Sequence, residues 1–202
     1  SMVLRNIGVS APLVHDLDLD QGFLLLDDFG DTHYLGALNQ SNVDALYRDA
    51  FNALSRIQSE GPVDEEVLVE YDYDKLAQEM SLFDEWLLSK HFHIGLDDDD
   101  RQLLEQTYDL LAKTALEQPK VFVHRDFHSR NLMLLKDGNP GVLDFQDALI
   151  GPITYDVVSL LKDCYISWSR DQVLSWVGDY FSRPAVSRMI TGISLQEIIR
   201  WF

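Results

Sequence analysis

The stretch VFVHRDFHSRNLMLL, residues 121–135, sets six polar side chains, His124, Arg125, Asp126, His128, Arg130 and Asn131, between two apolar runs that each read as a short buried strand. A connecting turn needs no such cluster, because Gly, Ser, Asn and Pro turn the chain with less polar surface to satisfy. Either the segment is a solvated loop in which Asp126 caps the backbone, or it is a loop that carries chemistry at the end of a strand. The residues that follow bear on the choice. LMLLKDGNPGVLDF, residues 132–145, is a pair of apolar runs about the turn residues Asp137, Gly138, Asn139 and Pro140. That is a hairpin pattern. Its closure returns Asp144 to the neighbourhood of Asn131, so that two oxygen donors and the carboxylate of Asp126 face one spot.

Two carboxylates and an amide oxygen make a poor zinc site and a good magnesium one, since hard oxygen donors with retained water suit that ion. Magnesium with few protein ligands shares its coordination with phosphates, which points to phosphoryl transfer. In that chemistry one carboxylate, free of the metal, orients the attacking hydroxyl, while the metal and cationic side chains take up charge on the transferred group. Asp126 is the orienting carboxylate in this reading, Asn131 and Asp144 hold the metal, and Arg130 or His128 lies near the transferred phosphoryl. Other readings of single residues are weaker. His124 reads as structural, its imidazole fixing the loop. His124 and His128 have the spacing of a helical zinc pair, but the surrounding pattern is strand and loop. Asp156, after Gly151-Pro152, reads as an N-terminal helix residue that braces the loop.

HRDFHSRN, residues 124–131, followed by LDF, residues 143–145, resembles the H-x-D-x-x-x-x-N and Asp-bearing metal motifs of the protein-kinase-like fold, especially its aminoglycoside phosphotransferase branch. FVHRDFHSRNLMLL and PGVLDFQDALIGPITYDVVSLLKDCYISW, residues 122–135 and 140–168, are most similar to the bacterial anomeric N-acetylmuramate/N-acetylglucosamine kinases, and GFLLLDDFGD, residues 22–31, resembles their interdomain hinge. The resemblance implies an α+β, protein-kinase-like architecture. Residues 1–30 are then the last hairpin and hinge of an N-lobe, and residues 31–202 a mostly helical C-lobe with a small β island. It implies that Asp126 is the catalytic base, that Asn131 and Asp144 are the Mg2+ ligands, that Leu26 lies behind the adenine of ATP, and that the backbone at Asp27 and Phe29 pairs with it. It implies transfer of the ATP γ-phosphoryl group to the anomeric hydroxyl of an N-acetylated amino sugar, as in peptidoglycan recycling. Gln146 stands where the kinase motif has Gly, and GPITYD follows closely, leaving no room for a long regulatory activation loop.

Departures from the pattern are as informative. The first lysine is Lys75, and the first 30 residues hold no glycine-rich phosphate loop. The chain ends at QEIIRWF, residues 196–202, without a Gly or Asn cap. The expectation is an incomplete, inactive fragment of such a kinase, with a dimer forming through the exposed hinge hairpin. An aminoglycoside phosphotransferase and a non-catalytic kinase-like binding module are the alternatives. Cationic aminoglycosides suit an acidic cleft, whereas the carboxylate of N-acetylmuramate calls for a local Arg or Lys.

Composition bounds these readings. At 202 residues and 46% hydrophobic, with four Trp and ten Phe, the chain can bury a good core. A formal charge of −18 argues against nucleic acid or anionic membrane as partner. No leader or membrane-length apolar run is visible, which predicts a cytoplasmic protein, and the single Cys164 suits a reducing compartment as a buried structural thiol. Asp97 to Asp100 reads as a solvated helix N-terminus rather than a calcium loop. A hairpin is predicted from Leu13 to Leu26. Helical spacing follows over 42–58 (Leu46, Ala50, Leu54, Ile57), 74–90 (Leu76, Met80, Phe83, Leu87), 100–117 (Leu103, Leu104, Leu111, Ala115), 155–167 and 170–182. Trp86 and Trp168 read as core anchors.

Overall fold

Leu46, Ala50, Leu54 and Ile57 recur at helical spacing, and all four are buried on one face of a long helix, Val43–Glu60. The computed structural model describes residues 1–202. In chain order its helices are α1 (Met2–Asn6), α2 (Tyr34–Ala37), α3 (Val43–Glu60), α4 (Tyr73–Leu82), α5 (Asp98–Leu116), α6 (Tyr155–Leu161), α7 (Arg170–Phe181), α8 (Pro184–Met189) and α9 (Leu195–Trp201). A π-helical turn, Phe83–His91, extends α4. Its strands are β1 (Val14–Asp18), β2 (Phe23–Leu26), β3 (Lys120–Val123), β4 (Leu132–Met133), β5 (Gly141–Val142) and β6 (Leu149–Pro152). They form three antiparallel pairs, β1 with β2, β3 with β6 and β4 with β5. This is the expected α+β layout, mostly helical around a small β island.

The core lies between α3, the β3/β6 pair and α6 to α8. Tyr47, Phe51, Tyr180 and Trp176 meet at tilted or edge-on angles, the geometry that aromatic quadrupoles prefer. Trp168 donates its indole N–H to the Tyr47 hydroxyl at 2.9 Å, as expected of an aromatic anchored against the core. Burying the whole of β6 requires a continuous apolar run, and LIGP supplies it. Gly61 ends α3 where a Cβ would collide with the Ile57 carbonyl and with the ring of Phe122 on β3, so glycine is what lets the helix end close on the strand. The β4/β5 hairpin joins its flanks through isolated bridges, Ser10 to Gly141 and His33 to Met133, which draw the segments before and after the first hairpin alongside the second.

Some expectations fail. Helix α5 leaves Leu103 and Leu111 exposed and buries Ala112 instead, because periodicity shows which residues share a face and not which face is covered. Trp86 is 56% exposed, with the Lys90 ammonium 3.6 Å from its ring centroid, and is no core anchor. Cys164 is exposed, not a buried thiol. The helix expected over 155–167 stops at Leu161. There the Asp163 carboxylate accepts the Tyr165 N–H at 2.9 Å, a local side-chain bond that competes with helix continuation. Asp97 does cap α5, accepting from the Asp100 N–H at 2.9 Å. No helix is long and apolar enough to cross a membrane.

Candidate active site

The loop after β3 sorts its side chains by burial. His124, Phe127 and Ser129 are fully buried, while Asp126, His128, Arg130 and Asn131 line a cleft of about 740 Å³ together with Asp144, Tyr165 and the segment Asp31, Thr32, His33, Leu35 and Gly36. The buried members anchor the loop. Asp156, completely buried on the first turn of α6, accepts the backbone N–H groups of His124 at 2.8 Å and Arg125 at 3.0 Å. These bonds hold the chain where Arg125 turns left-handed, φ 78°, a conformation unfavourable for a residue with a Cβ. The Arg125 guanidinium is in turn fixed by Glu79 at 2.5 Å. At the other end of the loop Ser129 gives both its N–H (2.9 Å) and its hydroxyl (2.5 Å) to the Asp163 carboxylate.

Burial pushes the Asp156 carboxyl up to about 7 against the lowering effect of its two amide donors. Burial also lowers His124 to about 4, so its imidazole is neutral at physiological pH. Neither ring nitrogen has a partner, and the ring packs edge-on against Phe127, centroids 5.7 Å apart. Asp156 braces the loop as its sequence context implied, whereas the His124 ring is buried by packing and does not fix the loop through hydrogen bonds of its own.

The three residues expected to converge line the same cleft, although the contact to Asp126 is with its backbone carbonyl and not its carboxylate. Asn131 donates its side-chain amide to the Asp126 backbone carbonyl at 3.1 Å and to the Asp144 carboxylate at 3.4 Å, and its backbone carbonyl accepts the Leu143 N–H at 2.9 Å. The second expected strand thus places Asp144 beside the loop, in a left-handed conformation, φ 62°. The other Asp144 oxygen accepts from Gln146. With the Asn131 nitrogen committed to the Asp126 carbonyl, its Oδ1 is left as the donor for a cation. No three His, Cys, Asp or Glu side chains are arranged to hold a metal ion by themselves, so a cation here would have Asn131 and Asp144 as protein ligands and water or phosphate for the rest. That donor set fits Mg2+.

The hinge residues are not brought into this lining. Leu26 ends β2, exposed. The Asp27 N–H is given to the Leu13 carbonyl at 3.0 Å, and its carboxylate accepts from the Leu13 amide at 2.9 Å and from His15 at 2.7 Å, which together hold the carboxyl below the usual range. The Phe29 ring lies against Gly141 on β5, so close that a Cβ there would stand 2.5 Å from it. Residues 31–36, immediately after the hinge, reach the cleft instead. Sequence reasoning missed Asp31, His33, Asp163 and Tyr165. The one available signal was Asp31 in GFLLLDDFGD, as the acidic residue closest to the loop side of the hinge.

Residues 2–189 match the family model for phosphotransferase enzymes named APH. The chain is 43% identical over 181 residues to an N-acetylmuramate/N-acetylglucosamine kinase of Pseudomonas putida, covering 90% of this chain and 52% of that protein. It is likewise 43% identical over 198 residues to one from Neisseria meningitidis, covering 96% and 58%. The chain therefore spans a little over half the length of these relatives. In fold it is similar to the ADP-bound aminoglycoside phosphotransferase APH(2'')-Ib, with a TM-score of 0.64 at 20% identity over 94% of this chain and 67% of that one. The choline kinase LicA of Streptococcus pneumoniae gives a TM-score of 0.65 at 12% identity over 99% and 64%.

Proposed function

The chain belongs to the APH phosphotransferase enzyme family, and from that premise we propose that it carries the catalytic loop of an ATP- and Mg2+-dependent kinase for the anomeric hydroxyl of N-acetylmuramate or N-acetylglucosamine. The observation that carries this is the Asn131 amide, which ties the Asp126 backbone to the Asp144 carboxylate in one open cleft. The substrate class is supported by the kinases to which the chain is 43% identical.

In this reading the Asp126 carboxylate, which makes no hydrogen bond within the chain, accepts one from the sugar hydroxyl and aims its oxygen at the γ-phosphorus. As the new P–O bond forms and the bond to the β-phosphate oxygen breaks, the hydroxyl proton passes to Asp126. Asn131 and Asp144 would hold Mg2+, whose chemistry is to neutralise charge on the phosphates. His128 and Arg130, on the same wall, face the transferred group. Residues 1–30 serve as the hinge side, with the Asp27 carbonyl and Phe29 N–H offered to adenine and Leu26 behind it, and residues 31–202 form the catalytic lobe. The exposed hairpin pairs with a second copy. Peptidoglycan recycling in the cytoplasm is the setting that such a substrate implies.

Phosphate transfer from ATP to N-acetylmuramate, N-acetylglucosamine and kanamycin, measured side by side, tests the reading. Joined to the glycine-rich lobe of a full-length relative, the chain is expected to transfer phosphate to the two amino sugars, with turnover falling about 10²- to 10⁴-fold in Asp126→Asn while nucleotide affinity is kept. Alone, with no lysine before Lys75 and no glycine-rich loop in its first 30 residues, it should transfer little or none. Transfer to kanamycin alone would overturn the substrate class. Magnesium-dependent nucleotide binding by the joined protein without transfer to any acceptor would favour a binding module.

A further inference from the structure

Arg130 is exposed on the rim of a cleft that holds Asp31, Asp126 and Asp144, yet its guanidinium forms an ion pair with none of them. It stands instead over the ring of Tyr165, its Cζ 4.9 Å from the centroid. That ring meets His128 edge-on at 5.6 Å, and its backbone is fixed where the Asp163 carboxylate accepts the Tyr165 N–H. The Arg130 backbone is fixed as well, its carbonyl lying 2.5 Å from Nδ1 of His33. Both ends of the pair are therefore tied down, the aromatic to the turn that braces the loop and the arginine to the segment after the hinge.

An aromatic ring holds a guanidinium without a counterion and leaves its N–H edge free to bind planar anions in a bidentate manner. In a chain of formal charge −18, a cation kept off neighbouring carboxylates is available to an anion that arrives with the substrate. The transferred phosphoryl is one such anion. The two sugars of the proposed reaction differ by another, because N-acetylmuramate bears a carboxylate on its ether arm and N-acetylglucosamine is neutral. We propose that Tyr165 is a specificity-determining residue that positions Arg130 to bind the carboxylate of the acidic sugar. This rests on the amino-sugar reading above. No such task follows from Arg130 acting on the phosphoryl alone, which both sugars would need equally.

Calorimetric titration of the 202-residue chain with each sugar tests it on four proteins: unaltered, Tyr165→Phe, Tyr165→Ala and Arg130→Gln. The ratio of N-acetylmuramate to N-acetylglucosamine affinity is expected to fall about tenfold in Tyr165→Ala and Arg130→Gln, the worth of one exposed charge-assisted contact. Tyr165→Phe, which keeps the ring, should retain the ratio. In the unaltered protein the ratio should decrease as salt is added. A ratio unmoved by Tyr165→Ala and Arg130→Gln overturns the proposal while leaving the amino-sugar reading in place, and a parallel loss for both sugars does the same. Binding of neither sugar to the unaltered chain removes the amino-sugar reading and the proposal with it. Arg130→Gln changes an exposed side chain, so the test stands even if Tyr165→Ala does not fold.

Discussion

Replacing Asp156 with asparagine keeps the shape of the side chain and removes one of its two acceptors. The carboxylate now takes the N–H groups of His124 and Arg125 on separate oxygens. An asparagine can serve only one of them and turns its own NH2 toward the other, leaving a buried donor unpaired at a cost of about 1–3 kcal/mol. The difference also depends on pH. The folded-state carboxyl, pushed up by burial to about 7 from an ordinary 3.8, holds its proton where the unfolded chain has already released it. Native protein therefore binds more protons than unfolded protein across this window, and stability falls as pH rises through it. From pH 5, above the isoelectric point of 4.4, to pH 7, the advantage of the parent over Asp156→Asn should shrink by roughly 2 kcal/mol at ~1.4 kcal/mol per pH unit. Urea unfolding followed by tryptophan fluorescence at several pH values measures the gap. A gap of constant size would mean that Asp156 ionises as freely in the fold as outside it. No gap at any pH would mean that the two amide bonds do not hold the loop.

His124 gives the opposite slope. With its folded pKa lowered by burial to about 4, the unfolded chain takes up the proton first as pH falls, so the stability it contributes is present above pH 6.5 and lost toward pH 4. The parent-minus-His124→Gln difference should rise by roughly 2 kcal/mol between pH 5 and pH 8, and a flat difference in the same urea series would refute the neutral buried ring. Asp163→Ala strips Ser129 of its acceptor for both N–H and hydroxyl and should destabilise by about 2–4 kcal/mol; a melting temperature within error of the parent's would exclude that anchoring role. The hairpin of β1 and β2 exposes Leu17, Phe23, Leu24 and Leu25 on unpaired strand edges, so light scattering should detect a dimer that Leu24→Lys weakens. A monodisperse monomer at high concentration would rule out that pairing.

What could be read beforehand and what could not divides along physical lines. Leu46 to Ile57 announced α3 because a one-sided apolar stripe on a long helix has to be covered. The convergence of Asp126, Asn131 and Asp144 was legible because hairpin closure is a short-range event, fixed by the turn residues between the strands. Leu103, Leu111 and Trp86 were misplaced because the identity of the covering surface is a long-range fact. Asp163 and Tyr165 were missed for a different reason. Read by periodicity they continue a helix, and only the competition between the Asp163 carboxylate and the helical backbone turns them toward the loop and the cleft.

That turn explains how a loop with so little regular structure can be placed accurately. Asp156 lies on the first turn of α6 and Asp163 two residues past its last, and neither belongs to the cleft lining. One fixes the loop at His124 and Arg125, the other at Ser129. Asp126 lies between these two anchors and needs no contact of its own to be held, so its carboxylate stays free for a hydroxyl to approach. The helix works as a ruler for the loop. Asp156 sits on the helix and Asp163 in the turn that ends it, so shortening or lengthening α6 by a single residue would rotate that turn about 100° relative to Asp156, disturbing Asp126 without altering any residue of the cleft lining.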